Sequence, residues 1–449
     1  MAYLGNCMKK FFLTIFLFFL CVEFGFSQGK FVMNYDESDK INFELINNLI
    51  VIPVEVNGVE LSFLLDTGVS KPIIFNFVNL TEELKINQTE RIYLRGLGEG
   101  TSVEALKSKN NVFKIGKAVS IGQDLFAIFD PAMNFAPKLG VPIHGIIGFD
   151  LFKDFVVEIN YSKKVIKLYN HDTYKLKKCN KCEIFELSFF NNKPYIDANV
   201  SLESNNLPVK LLIDSGGSDA LWLFADDEIK VPEKYFDDFL GYGLSGSVYG
   251  KRSKVDRLSL NGFSLKQVNS AFPDSTSITF ARKFKERNGS VGGEILKRFN
   301  VIFDYKNKYI VLKKNRLFKS PFYYNKSGIV LEHNGVRVVK RLNRAYGISS
   351  FGSKAQENQQ STMVSSNTYD YILAPSFTIV ELRKDSPAHK AGLKIGDVIL
   401  SINGTGAHQY SLQQVTQLFY DENGKRIKLL VDRNGIQIRF QFMLESILK

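Results

Sequence analysis

Between residues 49 and 314 the chain is a succession of short apolar and polar strand patterns closed by turn signals, and the succession occurs twice. Leu49 to Phe63 reads as a strand (LIVIPVEV), an Asn57-Gly58 turn and a second strand that runs on into Asp66. Further short apolar segments follow, with a glycine tip at Gly96, Gly98 and Gly100 and a strand pair VFKIGKAVSIG. The first pass ends at Gly145 to Tyr169 with a glycine-punctuated apolar pair, a short helical stretch and a hairpin. The same order returns from Pro194 to Lys314: a hairpin into Asp214, a glycine tip at Gly241, Gly243 and Gly246, a strand pair KVDRLSLNGFSL, and a closing segment from Gly289. The offsets agree: 214 − 66 = 148 at the acids, 243 − 98 = 145 at the tips and 289 − 145 = 144 at the closing glycines. Drift of a few residues is what changes in loop length produce. Two similar units in tandem predict a pseudo-twofold pair with one acid from each unit at the axis.

At the point where the two copies agree best, an apolar strand delivers an Asp, a hydroxyl residue and a Gly. Asp66, Thr67 and Gly68 are followed by Ser70; Asp214, Ser215 and Gly216 are followed by Ser218. Two carboxylates brought face to face do not both ionise readily, so one proton is shared and the pair titrates as a unit. The ionised member takes a proton from water while the protonated member polarises a carbonyl, which is acid-base hydrolysis without a covalent intermediate. Glycine permits close approach of the two backbones, the hydroxyls of Thr67 and Ser215 are placed to bond across to the other segment, and Ser70 and Ser218 are expected to orient the outer carboxylate oxygens. The bland alternative is two buried turn aspartates, and for one copy alone it is the better reading.

Other chemistries are poorly served. GYGLSG, Gly241 to Gly246, matches a dinucleotide loop, but the residues after it alternate as a strand instead of opening a helix. No P-loop or G-x-S-x-G sequence occurs, and His144 is matched by Asn288 in the second copy, which makes it structural. Of four cysteines, Cys7 and Cys21 fall in the N-terminal apolar segment; Cys179 and Cys182 form CNKC, half a zinc site at best, and a local disulfide or two idle thiols are preferred to a metal. No metal and no cofactor are expected. The net charge of +12 in 449 residues comes from Lys and Arg scattered through strand-like segments, which reads as solvated faces and not as a nucleic-acid surface.

The N-terminus has the form of an export signal: Lys9 and Lys10, an apolar run from Phe11 to Val22, then Gly25 and Ser27, with cleavage expected after Ser27 and Met8 an alternative start. Leu20 before Cys21 argues against lipidation. This signal leads us to expect a periplasmic or extracellular protein, or one associated with the envelope; no other run approaches the length of a membrane span, so no stable span is expected once the signal is removed.

With these residues in view, the chain resembles the retropepsin-like aspartic proteases, specifically bacterial aspartyl proteases in which two such units are fused and followed by a PDZ domain. The resemblance rests on hydrophobic-D-[ST]-G-x-[ST] twice and on the hydrophobic-Gly segments Ile146-Ile147-Gly148 and Val291-Gly292, which in that family pack behind the catalytic loops. It implies a mainly β protein of two pseudo-symmetric acid-protease barrels. Asp66 and Asp214 become the catalytic pair, and the glycine tips become flaps that close over a bound peptide.

A third region, from about Lys326, contains DSPAHKAGLKIGDVILSING, Asp385 to Gly404, and looks like a bacterial PDZ domain of α+β type. Ser386-Pro387 opens a short helix ended by Gly392, Val398 to Ile402 is a strand, Ser411 and Gln414 form a capping box for a helix through Phe419, and Asn434-Gly435 turns the final hairpin. Gly328-Ile329-Val330 is a candidate first strand. Such domains bind a peptide chain end as an added strand. The expected organisation is a signal at 1–27, protease lobes at 41–170 and 184–320 joined by a linker at 171–183, and a PDZ domain at 326–446 with a polar insertion near 345–370. The expected function is an exported aspartic endopeptidase whose PDZ module recruits peptide or protein substrate. The alternative is a catalytically silent peptide-binding or scaffold protein of the cell envelope.

Overall fold

The computed structural model describes residues 29–34, 38–75, 84–130, 133–203, 205–343 and 368–448. The expected export signal and most of the polar insertion lie outside them. The chain forms two compact units, one comprising residues 1–134, 143–233 and 240–321, the other 135–142, 234–239 and 322–449.

The first unit is built almost wholly from antiparallel strands and contains both copies of the repeat. In the first copy, strand Leu49–Val56 turns through Asn57 and Gly58, both at positive φ, into strand Val59–Leu65. Their pairing sets Val51 opposite Leu64 and Val54 opposite Leu61. Alternation then drives Val54, Val56, Leu61, Phe63 and Leu65 into the core, at 2% exposure or less. Strand Gly145–Ile147 runs parallel to Val59–Leu65, Gly145 beside Phe63. The second copy repeats this. Strands Lys193–Leu202 and Asn205–Ile213 set Tyr195 opposite Leu212, and Arg287–Val291 runs parallel with Gly289 beside Leu211.

The two copies are joined by a six-stranded sheet in the order Cys182–Glu186, Tyr309–Lys314, Phe299–Asp304, Val156–Asn160, Val165–Tyr169, Ser38–Asn42. Its centre is the antiparallel pairing of the two closing segments, Val157 opposite Phe303 and Ile159 opposite Val301, all buried. Each lobe thus contributes its last hairpin to one shared sheet. Between the lobes, Cys179 and Cys182 are joined as a disulfide.

The second unit is α+β. Strands Ile329–Asn343, Thr368–Leu382, Val398–Ile402, Arg426–Arg433 and Ile436–Met443 form its sheet, with Thr405–Gly406 paired to Val398–Ile402. Helix Pro387–Lys390 is capped by Ser386, whose hydroxyl accepts from the His389 N–H. Helix Leu412–Leu418 carries a full capping box between Ser411 and Gln414. Ile329, Phe377, Ile379, Ile399, Val415 and Phe419 form the centre of its core, at 1% exposure or less. Asp397, fully buried, is held by a two-pronged ion pair from Arg433 at 2.6 and 2.7 Å. Residues 135–142 and 234–239, which lie in the sequence between strands of the first unit, belong to this one. The Gln413 side-chain amide donates to the Leu139 carbonyl, and the Arg383 guanidinium lies over the ring of Phe236.

Candidate active site

Two loops, 66–70 and 214–218, each leave the end of a core strand and are fixed from behind by the next strand of their own lobe. The Asp66 N–H donates to the Ile147 carbonyl at 2.8 Å and the Asp214 N–H to that of Val291 at 2.9 Å. Phe149 N–H donates to Val69 and Gly293 N–H to Gly217, so that the hydrophobic-Gly segments back both loops as the sequence led us to expect. The flanking histidine has a matching role. His144 Nδ1 accepts from the Ser62 N–H, and Asn288 Oδ1 accepts from that of Lys210 at the equivalent place. Burial keeps His144 below its ordinary pKa, the direction that suits an acceptor nitrogen.

The loops are locked to each other by their hydroxyl residues. Thr67 Oγ1 accepts from the Ser215 N–H at 3.0 Å and donates to the Ile213 carbonyl at 2.6 Å; Ser215 Oγ accepts from the Thr67 N–H at 3.0 Å and donates to the Leu65 carbonyl at 2.7 Å. Both residues are at 1% exposure or less. Four reciprocal bonds in a dry site make the approach of the lobes a matter of fixed geometry, because each unmade one would leave a buried polar group without a partner.

The carboxylates are thereby brought together. Gly68 N–H donates to Asp66 Oδ1 at 2.6 Å and Gly216 N–H to Asp214 Oδ1 at 3.1 Å. A Cβ on Gly68 would lie 3.0 Å from Asp66 Oδ1 and 3.5 Å from Asp214 Oδ1, so these oxygens are no more than 6.5 Å apart, the sum of those distances. At Gly216 a Cβ would stand 2.6 Å from Asp66 Oδ1 and closer still to its Cγ, so only glycine fits. Burial, then the charge of Asp214, pushes Asp66 up from 3.8 to about 7. Burial also raises Asp214, but Arg287 and Lys193 oppose that rise. The pair therefore holds one proton in common, with the negative charge favoured on Asp214.

The Ser70 hydroxyl does something other than orient a carboxylate, and the backbone of Ser218 takes part in the matching contact. Ser70 Oγ donates to the Asn191 carbonyl at 2.8 Å, and the Ser218 carbonyl accepts from Asn48 Nδ2 at 2.8 Å. Asn47-Asn48 and Asn191-Asn192 are the tight turns of the two lobes' first hairpins, with all four residues at positive φ. Each lobe's hairpin turn thus holds the other lobe's acid loop, a second layer of cross-bracing that needs the tertiary fold to be seen.

The glycine tips meet. Ser245 N–H donates to the Leu97 carbonyl at 2.8 Å, Gly100 N–H to the Ser245 carbonyl at 2.7 Å, and Gly96 N–H to Ser245 Oγ at 3.1 Å. Gly96, Gly98, Gly100 and Gly243 are packed against the opposite tip so closely that a Cβ on any of them would overlap it. Gly246 stands at the end of the second tip with φ 107°, and Gly241 lies back in strand Phe236–Gly243. Among the described residues no group of three or more His, Cys, Asp or Glu is placed to hold a metal ion, and no helix is long and apolar enough to cross a membrane.

Three charged or polar groups at this site were not singled out from the sequence: Lys193, Tyr195 and Arg287, all from the second lobe; the charges of Lys193 and Arg287 act on Asp214, and Tyr195 is hydrogen-bonded to Arg287. Comparing the two copies position by position would have flagged them, because the first lobe has Leu49, Val51 and Ile143 there.

Residues 52–151 match the family model described as aspartyl protease, and residues 378–433 match that described as PDZ domain. The chain therefore carries a retropepsin-like aspartyl-protease domain and a PDZ domain in a mainly β framework. Among curated proteins none matches the sequence.

Proposed function

We propose that the chain is an exported, single-chain aspartic endopeptidase in which Asp66 and Asp214 activate water between them, with the PDZ domain recruiting or positioning peptide substrate. The observation that carries this reading is the reciprocal Thr67–Ser215 lock, which brings one carboxylate from each lobe to the same point.

In the working state the pair holds one proton. Asp214, beside the two cations, is the ionised member and takes a proton from the attacking water; Asp66, kept protonated by burial, hydrogen-bonds the scissile carbonyl and gives it that proton as the tetrahedral intermediate forms. Asp214 then passes the proton it gained to the leaving nitrogen while Asp66 takes a proton back from a hydroxyl of the gem-diol intermediate; the C–N bond breaks, the carboxylic acid and the amine leave, and Asp66 is again protonated and Asp214 ionised. The Gly68 and Gly216 N–H groups hold the inner carboxylate oxygens, so the acids need no reorganisation as charge moves. The bonded tips between residues 96–100 and 243–246 are suited to exclude water from an extended peptide. Thr67 and Ser215 touch no substrate in this scheme; they are positioning residues.

The test is cleavage of an unfolded protein or peptide library by the mature chain beside Asp66→Asn and Asp214→Asn. Turnover by the parent and at least a thousandfold less by both variants is expected. Equal turnover by all three eliminates the pair as the catalytic group, and no turnover by any of them across pH 3–8 transfers the weight to the binding-protein reading.

A further inference from the structure

The two lobes repeat each other's backbone registers closely enough that departures in side-chain type are informative. Val51 pairs with Leu64 and Tyr195 with Leu212, each partner two residues before its lobe's acid. Continued by two residues, these registers set Leu49 opposite Asp66 and Lys193 opposite Asp214. Gly145 and Gly289 each lie beside the residue three before the acid, which makes Ile143 and Arg287 equivalent. The first lobe thus has Leu49, Val51 and Ile143, all buried, where the second has Lys193, Tyr195 and Arg287. Three apolar residues are replaced by two cations and a phenol on one side of an otherwise twofold site.

Arg287 is spoken for. It is 8% exposed, its Nε donates to the Gly289 carbonyl at 3.1 Å, its guanidinium lies 5.1 Å from the centre of the Phe224 ring, and it bonds the Tyr195 hydroxyl. Tyr195 is itself buried and packs edge-on against Phe284, which stacks on Phe190. Lys193 differs. It is half-buried, follows the turn whose Asn191 carbonyl is bonded by Ser70, and pairs through its backbone with Phe190, but its ammonium makes no hydrogen bond or ion pair among the described residues and meets the two acids through their charge alone. The charge count is uneven: a carboxylate pair sharing one proton carries one negative charge, and two cations face it. A partly enclosed site with a surplus positive charge favours an anion that completes it.

We propose that Lys193 is a substrate-recognition residue of the cleft that pairs with a carboxylate of the peptide on the Asp214 side of the scissile bond, with Arg287 and Tyr195 as the rigid wall behind it. The carboxylate is either an acidic side chain or a free chain end. This rests on the endopeptidase reading for the position of the scissile bond, but it is tested by binding, without turnover.

The probes are acetylated octapeptide libraries with one position fixed as Glu or Gln in turn, each made as C-terminal acid and as amide. Their affinities are measured for the Asp66→Asn protein and for Asp66→Asn combined with Lys193→Leu. Leucine is what the first lobe holds at that place, so its shape is compatible with the local backbone. A charge-assisted bond in a partly desolvated cleft predicts about tenfold tighter binding of the acidic form at one position. That preference falls below about twofold in the Lys193→Leu protein and is retained by Lys193→Arg. Preference for Glu over Gln assigns a side-chain subsite; preference for acid over amide ends assigns a chain-end subsite. Absence of any such preference overturns the proposal, and so does one that survives Lys193→Leu, since it then belongs elsewhere on the chain. Loss of cleavage in Asp66→Asn bears on the catalytic pair alone, so failure of the two ideas is separable.

Discussion

The raised pKa of Asp66 makes a stability prediction that is independent of any substrate. A carboxyl held at about 7 in the folded protein and at 3.8 when unfolded keeps a proton that the unfolded chain releases between those values. The folded state binds more protons throughout that window, so its stability falls as pH rises, with nothing lost below about 3.8 and the full penalty present above about 7. The difference of 3.2 between the two values corresponds to about 4 kcal/mol at 1.36 kcal/mol per unit. Water reaching the cleft lowers this, so about 2–4 kcal/mol is expected. Asp66→Asn keeps the shape and the acceptor for the Gly68 N–H but removes the titration. The variant is therefore as stable as the parent at pH 3.5 and more stable by about 2–4 kcal/mol at pH 8, a melting temperature several degrees higher for a unit of this size. Thermal scans of both proteins across pH 3.5–8 provide the assay. A gap that stays constant with pH, or a variant that is less stable at pH 8, refutes the placement of the two acids in one shared, enclosed site.

Removing the lock is expected to cost stability and activity together. Thr67→Val strands the Ser215 N–H and the Ile213 carbonyl, at about 1–3 kcal/mol each, and chemical denaturation together with a large loss of kcat checks it. Gly216→Ala places a methyl group on the Asp66 carboxylate and is expected to abolish cleavage while leaving PDZ-ligand binding intact, as read by peptide turnover and fluorescence anisotropy. In the tips, Ser245→Ala loses one bond, to the Gly96 N–H, and a rise in KM of a few-fold with little change in kcat is expected from steady-state kinetics. In the C-terminal unit, Arg433→Ala leaves Asp397 charged and buried, so that unit's unfolding free energy falls by about 2–4 kcal/mol in a denaturant titration.

What was legible in the sequence was whatever has a local signature. The acids and their hydroxyl neighbours announce themselves as D-[ST]-G twice, and the capping box at Ser411 and Gln414 needs only its own turn of helix. The strand after Gly246 follows from alternation alone, and it is what excluded a dinucleotide loop. The destination of the Ser70 hydroxyl was not legible, because its partner Asn191 is 121 residues away and reached only when the lobes close. Lys193 and Arg287 escaped because a cation in a strand pattern ordinarily marks a solvated face; only the register that sets Lys193 opposite Asp214 turns it inward. Residues 135–142 and 234–239 look like ordinary connections, and nothing in their composition indicates that they pack with the C-terminal unit.

The proposed chemistry stands on one carboxyl from each lobe converging on a single reacting centre. The measurement that tests it most directly is a crystal structure of the protein with a peptide carrying a hydroxyl group in place of the scissile amide. That hydroxyl is expected between Asp66 and Asp214, within about 3.2 Å of an oxygen of each, with the tips at 96–100 and 243–246 closed over the peptide. A peptide bound in the cleft with its hydroxyl beyond reach of either carboxylate contradicts it.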